Sequence, residues 1–228
     1  MIQNKVIVAL DSDNLNQSLK NVKKLKNDAY AFKIGYEFFF NFGIEGYKLV
    51  QKENVKIFLD LKLHDIPNTV KKGIKAISKL NPYFTSIHIS GGDEMQKAAN
   101  FSKRKTKIVG ISVLTSLDSN NTKKIFFNKN IEQIIKKFTN YAIENKLDGI
   151  VCSPNEIKII KNISANKLLI ITPGIRPINY KNNIDDQKRV MSPKEAINAG
   201  ADYLVIGRPI TSAANPLKEL KSINSSLD

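Results

Sequence analysis

Short apolar runs alternate with longer segments of mixed polarity along the whole chain. The runs are rich in β-branched and aromatic residues, which is typical of buried strands. The segments between them carry apolar residues at helical spacing, as in Leu15, Leu19, Val22 and Leu25. The pattern predicts eight strands, at residues 5–10, 31–35, 56–63, 83–89, 107–114, 150–152, 168–172 and 203–206.

The predicted helices fall between these strands. The stretch 116–130 is predicted to be a loop with room for a short helix. The polar stretch 173–191 is long for a connection, and loops of that length are usually lids, binding loops or disordered segments. The predicted helices are 14–26, 36–52 with an interruption near Gly43 and Gly46, 67–80, 94–103, 131–146, a short helix after Ser153, a helix from Ser192 to Ala199, and 213–220.

Strict alternation of strand and helix predicts a parallel sheet, and eight such units predict a (β/α)8 TIM barrel. A doubly wound open sheet is the alternative, but no Gly-x-Gly-x-x-Gly turn follows the first strand. A chain of 228 residues without an interdomain linker is expected to form one domain over residues 1–228. In such barrels the catalytic residues gather at the carboxyl ends of the strands.

Composition indicates a globular protein of the cytoplasm. The hydrophobic share of 42% and the charged share of 25% are ordinary, and a single cysteine, Cys152, excludes an intramolecular disulfide. The first residues lead directly into a strand without the features of a signal peptide. Since no apolar run approaches membrane-spanning length, no membrane association is expected.

The net charge of +15 raises the alternative of a nucleic-acid-binding protein. The lysines, however, are scattered along the predicted helices, as at Lys20, Lys23, Lys71 and Lys75, instead of forming one basic tract. This distribution is typical of a solvated surface, and we expect no nucleic acid partner.

Three charged residues follow the apolar run 57–59, in the stretch Asp60-Leu61-Lys62-Leu63-His64-Asp65. In an extended strand, Asp60 and Lys62 would stand on one face, about 7 Å apart along the backbone. Charges at the end of a core strand are costly unless they are paired or used for chemistry. The stretch is therefore a candidate active site, with a structural ion pair at the barrel rim as the alternative.

Further polar residues lie at other predicted strand ends or in the loops that leave them. The barrel prediction places all of them at the same rim as Asp60 and Lys62. They are Asp11, Lys33, Thr115, Arg176 and Arg208.

The pattern Asp60-x-Lys62-x-x-Asp65-Ile66-x-x-Thr69 resembles the signature of orotidine 5′-phosphate decarboxylases. That family removes CO2 from C6 of orotidine monophosphate to give UMP, without cofactor or metal. Since Asp-x-Lys-x-x-Asp also occurs in related sugar-phosphate enzymes, the other blocks strengthen the resemblance. They are Ala9-Leu10-Asp11, Lys33-Ile34-Gly35, Leu114-Thr115-Ser116, Thr172-Pro173-Gly174-Ile175-Arg176, Asp185-Asp186-Gln187-Lys188-Arg189 and Gly207-Arg208-Pro209-Ile210.

The resemblance implies catalytic roles for four charged residues. Lys62 would stabilise the carbanion at C6 and protonate it, and Asp60 would lie beside the departing carboxylate. Lys33 and Asp65 would complete an alternating array of Lys and Asp. Asp65 and Thr69 would reach the site of a neighbouring subunit, which implies a homodimer with shared sites.

The resemblance also implies contacts to a nucleotide substrate. For Asp11, capping of the first helix is an alternative role. Arginine suits the phosphate because its planar fork forms bidentate contacts. The implied substrate-binding residues are Asp11 and Lys33 at the ribose, Thr115 at the pyrimidine or ribose, Arg176, Arg208 and Gly207 at the phosphate, and Gln187 between the phosphate and the base edge.

A metal-dependent sugar-phosphate decarboxylase or aldolase of the same superfamily is the nearest competing function. Such relatives use a carboxylate on the second strand to help hold Mg2+, and here Lys33 stands at that place. His64 and His88 are two lone histidines on different strands and make a poor set of metal ligands. We expect both histidines and Cys152 to be structural.

Overall fold

The computed structural model describes residues 4–127, 129–177, 180 and 190–227. Its eight strands form a closed parallel barrel in which each strand pairs with the next and the last pairs with the first. This confirms the predicted (β/α)8 barrel. The strands are β1 (Val6–Ala9), β2 (Ala31–Ile34), β3 (Ile57–Leu63), β4 (Phe84–His88), β5 (Lys107–Ile111), β6 (Gly149–Val151), β7 (Leu169–Thr172) and β8 (Tyr203–Ile206).

Helices cover the outside of the barrel. The second contains the interruption predicted near Gly43 and Gly46, which lies at Gly43, where φ is +56°. The helices are α1 (Leu15–Leu25), α2 (Tyr36–Gln51), α3 (Pro67–Leu80), α4 (Asp93–Ser102), α5 (Ser119–Ile125), α6 (Ile131–Glu144), α7 (Ile157–Ser164), α8 (Pro193–Ala199), α9 (Arg208–Thr211) and α10 (Pro216–Ser225).

Helix caps account for the short helix within 116–130, which the sequence allowed for, and for a shift of the last helix. Helix α5 lies inside the predicted loop 116–130, where the Asp118 side chain caps it by accepting a hydrogen bond from the Asn121 N–H. The last helix begins at Pro216, because Asn215 caps it and proline suits the first turn. The helix predicted over 213–220 is therefore shifted. None of the described helices is long and apolar enough to cross a membrane.

Alternate residues of each strand face the barrel interior and the helices. Ala31 and Phe58 belong to the apolar cluster inside the barrel, whereas their neighbours Phe32 and Leu59 pack in the larger core under the helices. A strand has a side-chain period of two, so Lys33 and Asp60 follow Ala31 and Phe58 on the inward face. The charged side chains therefore lie above an apolar floor at the carboxyl ends of β2 and β3.

Three tyrosines lie at the amino ends of the strands. Tyr30 stacks on Tyr203 with ring centroids 4.1 Å apart, and the Tyr30 hydroxyl donates to the Tyr83 hydroxyl at 3.1 Å. These rings pack against the interior cluster that includes Phe84. The amino end of the barrel is thus filled with aromatic side chains, and the polar chemistry lies at the opposite end.

Candidate active site

A cavity of about 500 Å³ lies at the carboxyl ends of the strands. Its walls come from the ends of six strands and from the segments that follow them, including the loop after β7 and helix α9. Apolar side chains such as Phe58, Ile111 and Val205 form part of its lining. Eight of the residues singled out from the sequence share this cavity, namely Asp11, Lys33, Asp60, Lys62, Thr115, Arg176, Gly207 and Arg208.

Four charged side chains form a continuous array of alternating sign along one wall. Lys33 Nζ lies 2.9 Å from Asp11 Oδ1 and 3.8 Å from Asp60 Oδ2. Lys62 Nζ lies 2.7 Å from the same Asp60 oxygen. One carboxylate oxygen therefore faces two ammonium groups, and the four charges of Asp11, Lys33, Asp60 and Lys62 sum to zero.

Two opposing effects, burial and the neighbouring charges, set the pKa values of Lys33 and Asp60. Burial by itself lowers the pKa of Lys33, but the carboxylates of Asp11 and Asp60 outweigh it and raise that pKa above its ordinary value. Burial by itself raises the pKa of Asp60, but the ammonium groups of Lys33 and Lys62 outweigh it and lower that pKa. Both groups are thus held in their charged forms at neutral pH.

Lys62 does not have the extended conformation that the strand pattern predicts. Its φ is +46°, and the pairing of β3 with β4 shifts register between Leu59 and Leu63. A left-handed conformation costs a residue other than glycine about 1–2 kcal/mol. The regular i and i+2 geometry expected for Asp60 and Lys62 is therefore wrong, and a bulge brings the two charged groups into contact.

Two residues that the sequence pattern did not single out support this bulge. Tyr36, at the start of α2, donates its hydroxyl to the Leu61 carbonyl at 3.2 Å, and its ring centroid lies 5.5 Å from Lys62 Nζ. Ser86 on β4 contacts both the Asp60 carboxylate and the Lys62 backbone. A signal for Ser86 was available, since it lies two residues after the inward-facing Phe84.

Asp65 and Thr69 lie outside the cavity of their own chain. Both side chains are exposed, Asp65 just before α3 and Thr69 in its first turn. Asp65 Oδ1 accepts a hydrogen bond from the Ile66 N–H at 2.6 Å. Gln187, together with the block 185–189, lies outside the described residues.

The cavity wall beyond β7 and β8 carries the arginines. Arg176 Nη1 donates to the Ile175 carbonyl at 3.1 Å, and its guanidinium carbon lies 5.7 Å from the centroid of the Tyr180 ring. The backbone of Met191 bonds to Gly174 and Arg176, with N···O distances of 3.3 and 3.0 Å. These bonds join the two ends of the long segment predicted as a loop, and they anchor Arg176 at the cavity.

The two histidines lie side by side near Lys62, with ring centroids 5.2 Å apart. Burial is the main cause that lowers the pKa of His88, and electrostatic interactions with the nearby His64 and Lys62 lower it further. Cys152 lines the cavity floor, and burial raises the pKa of its thiol well above the ordinary value. Within the described ranges, no three His, Cys, Asp or Glu side chains are grouped closely enough to hold a metal ion.

The amino-acid sequence is similar to those of known proteins of one family. The sequence model of the orotidine 5′-phosphate decarboxylase / HUMPS family matches residues 4–223. The orotidine 5′-phosphate decarboxylase of Ehrlichia chaffeensis is 44% identical over 226 residues, 98% of this chain and 96% of the relative. The protein of that name from Vibrio parahaemolyticus is 40% identical over 232 residues, 100% of this chain and 99% of the relative.

Solved structures give the same result for the fold. The crystal structure of orotidine 5′-phosphate decarboxylase from Lactobacillus acidophilus superposes with a TM-score of 0.84 and is 34% identical. The superposition covers 99% of each chain. The barrel described above is thus similar to an experimentally determined one over almost its whole length.

Gly35 provides a test of the charged array. A Cβ atom at this position would lie 2.8 Å from both Asp11 Oδ1 and Lys33 Nζ, so Gly35→Ala should push this ion pair apart. We expect the pKa of Lys33 to fall, because Asp11 helps to raise it, and stability to change by less than about 1 kcal/mol, because the atoms that must move are the ends of the Asp11 and Lys33 side chains. NMR titration of the Lys33 side chain and urea unfolding would measure the two effects.

The matched control for this substitution is Gly73→Ala in α3. There the new Cβ would meet only the end of the Leu63 side chain, at 3.2 Å, so we expect a change in stability below about 1 kcal/mol and no effect on Lys33. An unchanged Lys33 titration in Gly35→Ala would contradict the expectation that a Cβ atom at this position separates Lys33 from Asp11.

The lowered pKa of Asp60 predicts how stability depends on pH. A carboxyl group whose pKa falls on folding adds stability above its unfolded pKa, and this contribution is lost as the pH falls through the folded pKa. The free energy of unfolding of wild type relative to Asp60→Asn should therefore rise with pH below about pH 4 and then level off. The pKa of Lys33 is raised on folding, so the stability that its ion pairs contribute is lost only above pH 10.5, the ordinary pKa of lysine.

Urea unfolding of both proteins between pH 2 and pH 9 would measure this difference. A difference in free energy that is the same at every pH would contradict the assigned ion pairs.

Proposed function

The chain belongs to the orotidine 5′-phosphate decarboxylase / HUMPS family, and we propose that it converts orotidine 5′-monophosphate to uridine 5′-monophosphate and CO2, the last step of de novo pyrimidine nucleotide synthesis. The observation that carries the proposal is the array of Asp11, Lys33, Asp60 and Lys62, which shares one cavity with Arg176 and Arg208. One wall thus offers charge for the reaction, and another offers donors for a phosphate.

Lys62 is the proposed proton donor. When the bond between C6 and the carboxylate carbon breaks, CO2 leaves and the electron pair stays on C6, where the ring offers no good electron sink. A fixed ammonium group stabilises this charge as it develops. Lys62 then gives a proton to C6, forming the C–H bond of the product, and takes up a proton from solvent.

Asp60 is proposed to position Lys62 and to face the departing carboxylate. One pair of unit charges 4 Å apart at an effective dielectric of 20 interacts by about 4 kcal/mol. Enzymes generally lower reaction barriers by roughly 8–23 kcal/mol, so repulsion of the substrate carboxylate by Asp60 is too small by itself. We therefore assign the larger share to the ammonium group of Lys62, which the 2.7 Å contact holds in place before the reaction.

The rest of the nucleotide is proposed to bind along the same cavity. Arg176, Arg208 and the Gly207 backbone would hold the phosphate, and binding energy from this remote group would assist the reaction at C6. Asp11 and Lys33 would hold the ribose hydroxyls, Thr115 would contact the pyrimidine or ribose, and Gln187 would bridge the phosphate and the base edge. No metal or cofactor takes part in the proposed reaction.

The active form is proposed to be a homodimer. Asp65 and Thr69 are exposed and lie outside their own cavity, which suits residues that complete the site of a neighbour. Large apolar side chains are also exposed on the adjacent elements: Phe40 is 76% and Ile66 is 66% accessible, and the Phe40 ring stacks on Tyr36. Exposed apolar side chains of this size suit a surface that a second copy covers.

The whole chain is proposed to act as one catalytic domain in the cytoplasm, without a nucleic acid or membrane partner. The family match over residues 4–223 supports a single domain. The single cysteine suits a reducing compartment.

A spectrophotometric assay for loss of orotidine monophosphate by the metal-stripped protein tests the function. We expect turnover that EDTA does not affect. A folded protein without turnover would contradict the proposal, and turnover that requires added Mg2+ would favour a metal-dependent sugar-phosphate enzyme of the same superfamily.

Two substitutions test the division of roles within the same assay. Lys62→Ala should lower kcat by at least about 1,000-fold while UMP affinity changes by less than about 10-fold, because the lysine acts mainly in the transition state. Arg208→Ala should chiefly weaken UMP binding, by about 10- to 100-fold, because it removes a charged phosphate contact. Equal losses of kcat and affinity in both variants would contradict this division.

Mixing inactive variants tests the shared site. In an equal mixture of Lys62→Ala and Asp65→Asn subunits that exchange freely, half of the dimers are mixed, and each contains one intact site. We therefore expect recovery of about a quarter of wild-type activity. Lys62→Ala mixed with Asp60→Asn is the matched control, because both residues serve their own chain's site and no intact site forms. Equal activity in the two mixtures would contradict the proposed sharing of Asp65 between subunits.

A further inference from the structure

We propose that Ser86 is a positioning residue of this active site, holding the Asp60 carboxylate and the Lys62 backbone with a single hydroxyl group. This inference rests on the proposed function, because its consequence is measured on that reaction. It adds a residue of β4 that none of the sequence motifs contains.

The hydrogen-bond directions at Ser86 are fully determined. A hydroxyl group has one hydrogen to donate and two lone pairs that accept. An ionised Asp60 can only accept, so Ser86 Oγ donates to Asp60 Oδ1 at 2.7 Å. The Lys62 N–H then donates to Ser86 Oγ at 2.9 Å. One side chain thereby fixes the second oxygen of the carboxylate whose first oxygen contacts Lys62 Nζ.

The strand register shows why a side chain is needed at this position. Leu59 pairs with Thr85 and Leu63 pairs with Ile87, so three residues of β3 lie opposite one residue of β4, which is Ser86. Regular ladder bonds cannot continue across such a bulge. Because a buried N–H without a partner is costly, the Ser86 hydroxyl takes the place of the missing backbone acceptor for Lys62.

Ser86 acts through other residues and not on the substrate. Its side chain is fully buried, and it does not line the cavity that Asp60 and Lys62 face. Its two bonds hold the two parts of β3 whose relative position sets the contact between the charged groups. Loss of the hydroxyl should therefore disturb the placement of Lys62 without removing any contact to the nucleotide.

The neighbouring Thr85 is a matched control. It is also fully buried, and its hydroxyl also bridges β4 to β3, donating to the Leu59 carbonyl at 3.0 Å. The bond of this hydroxyl goes to the Leu59 backbone and not to the Asp60 carboxylate or the Lys62 backbone, which Ser86 holds. Thr85→Val removes a comparable buried hydrogen bond from the same strand pair and conserves side-chain volume.

The test compares wild type, Ser86→Ala, Ser86→Thr and Thr85→Val. We expect Ser86→Ala to lower kcat by about 10- to 100-fold, with UMP affinity changed by less than about 3-fold. Ser86→Thr, which keeps the hydroxyl, should recover most of the lost kcat. Thr85→Val should change kcat by less than about 3-fold while losing at least as much thermal stability as Ser86→Ala.

The pH profile separates positioning from a packing defect. The Ser86 hydrogen bond contributes to the low pKa of Asp60, so the acid limb of kcat should move to higher pH in Ser86→Ala. A packing defect would lower kcat by the same factor at every pH.

The role of Ser86 is overturned if Ser86→Ala and Thr85→Val have the same kcat. It is also overturned if kcat and UMP affinity of Ser86→Ala fall together by a factor that does not depend on pH. In both cases wild-type turnover still supports the decarboxylase function. A wild-type protein without turnover would overturn that function as well.

Discussion

Burial of the Asp60 carboxylate is the constraint on which the rest of this site depends. The residue is 6% exposed, and an ionised carboxylate so far from water is strongly disfavoured unless it is paired and hydrogen-bonded. Two ammonium groups face one of its oxygens, and a serine hydroxyl holds the other. Removal of either ammonium group leaves negative charge less compensated in the barrel, and removal of the hydroxyl leaves one carboxylate oxygen without its hydrogen bond.

The same network explains why the protein tolerates a left-handed lysine. Lys62 leaves the regular strand at the bulge in β3, which costs energy locally, and in return its ammonium group reaches the buried carboxylate. Regular pairing would place the two groups side by side but would not force them into contact. The bulge therefore converts a common strand pattern into a preorganised charge pair at the cavity.

The two ends of the barrel are chemically different, and this difference places the reaction. At the amino ends, stacked tyrosines fill the interior and leave little room for a ligand. At the carboxyl ends, a cavity lies between the charged array and the two arginines, Arg176 and Arg208. In the proposed function, a phosphate bound on one wall would position the reacting group on the other, above an apolar floor that strengthens electrostatic interactions.

The sequence by itself determined the barrel and the identity of most candidate residues. Alternating strand and helix patterns depend on local periodicity, and a period of two places Lys33 and Asp60 on the inward face whatever their partners are. The sequence pattern was less reliable for helix ends. The last helix was predicted to begin at residue 213, but it begins at Pro216, after the cap Asn215. Only the tertiary structure decided the positive φ of Lys62 and the register shift opposite Ser86. Each of these depends on how one strand meets its neighbour, and the energy that selects them comes from contacts between residues far apart in the chain.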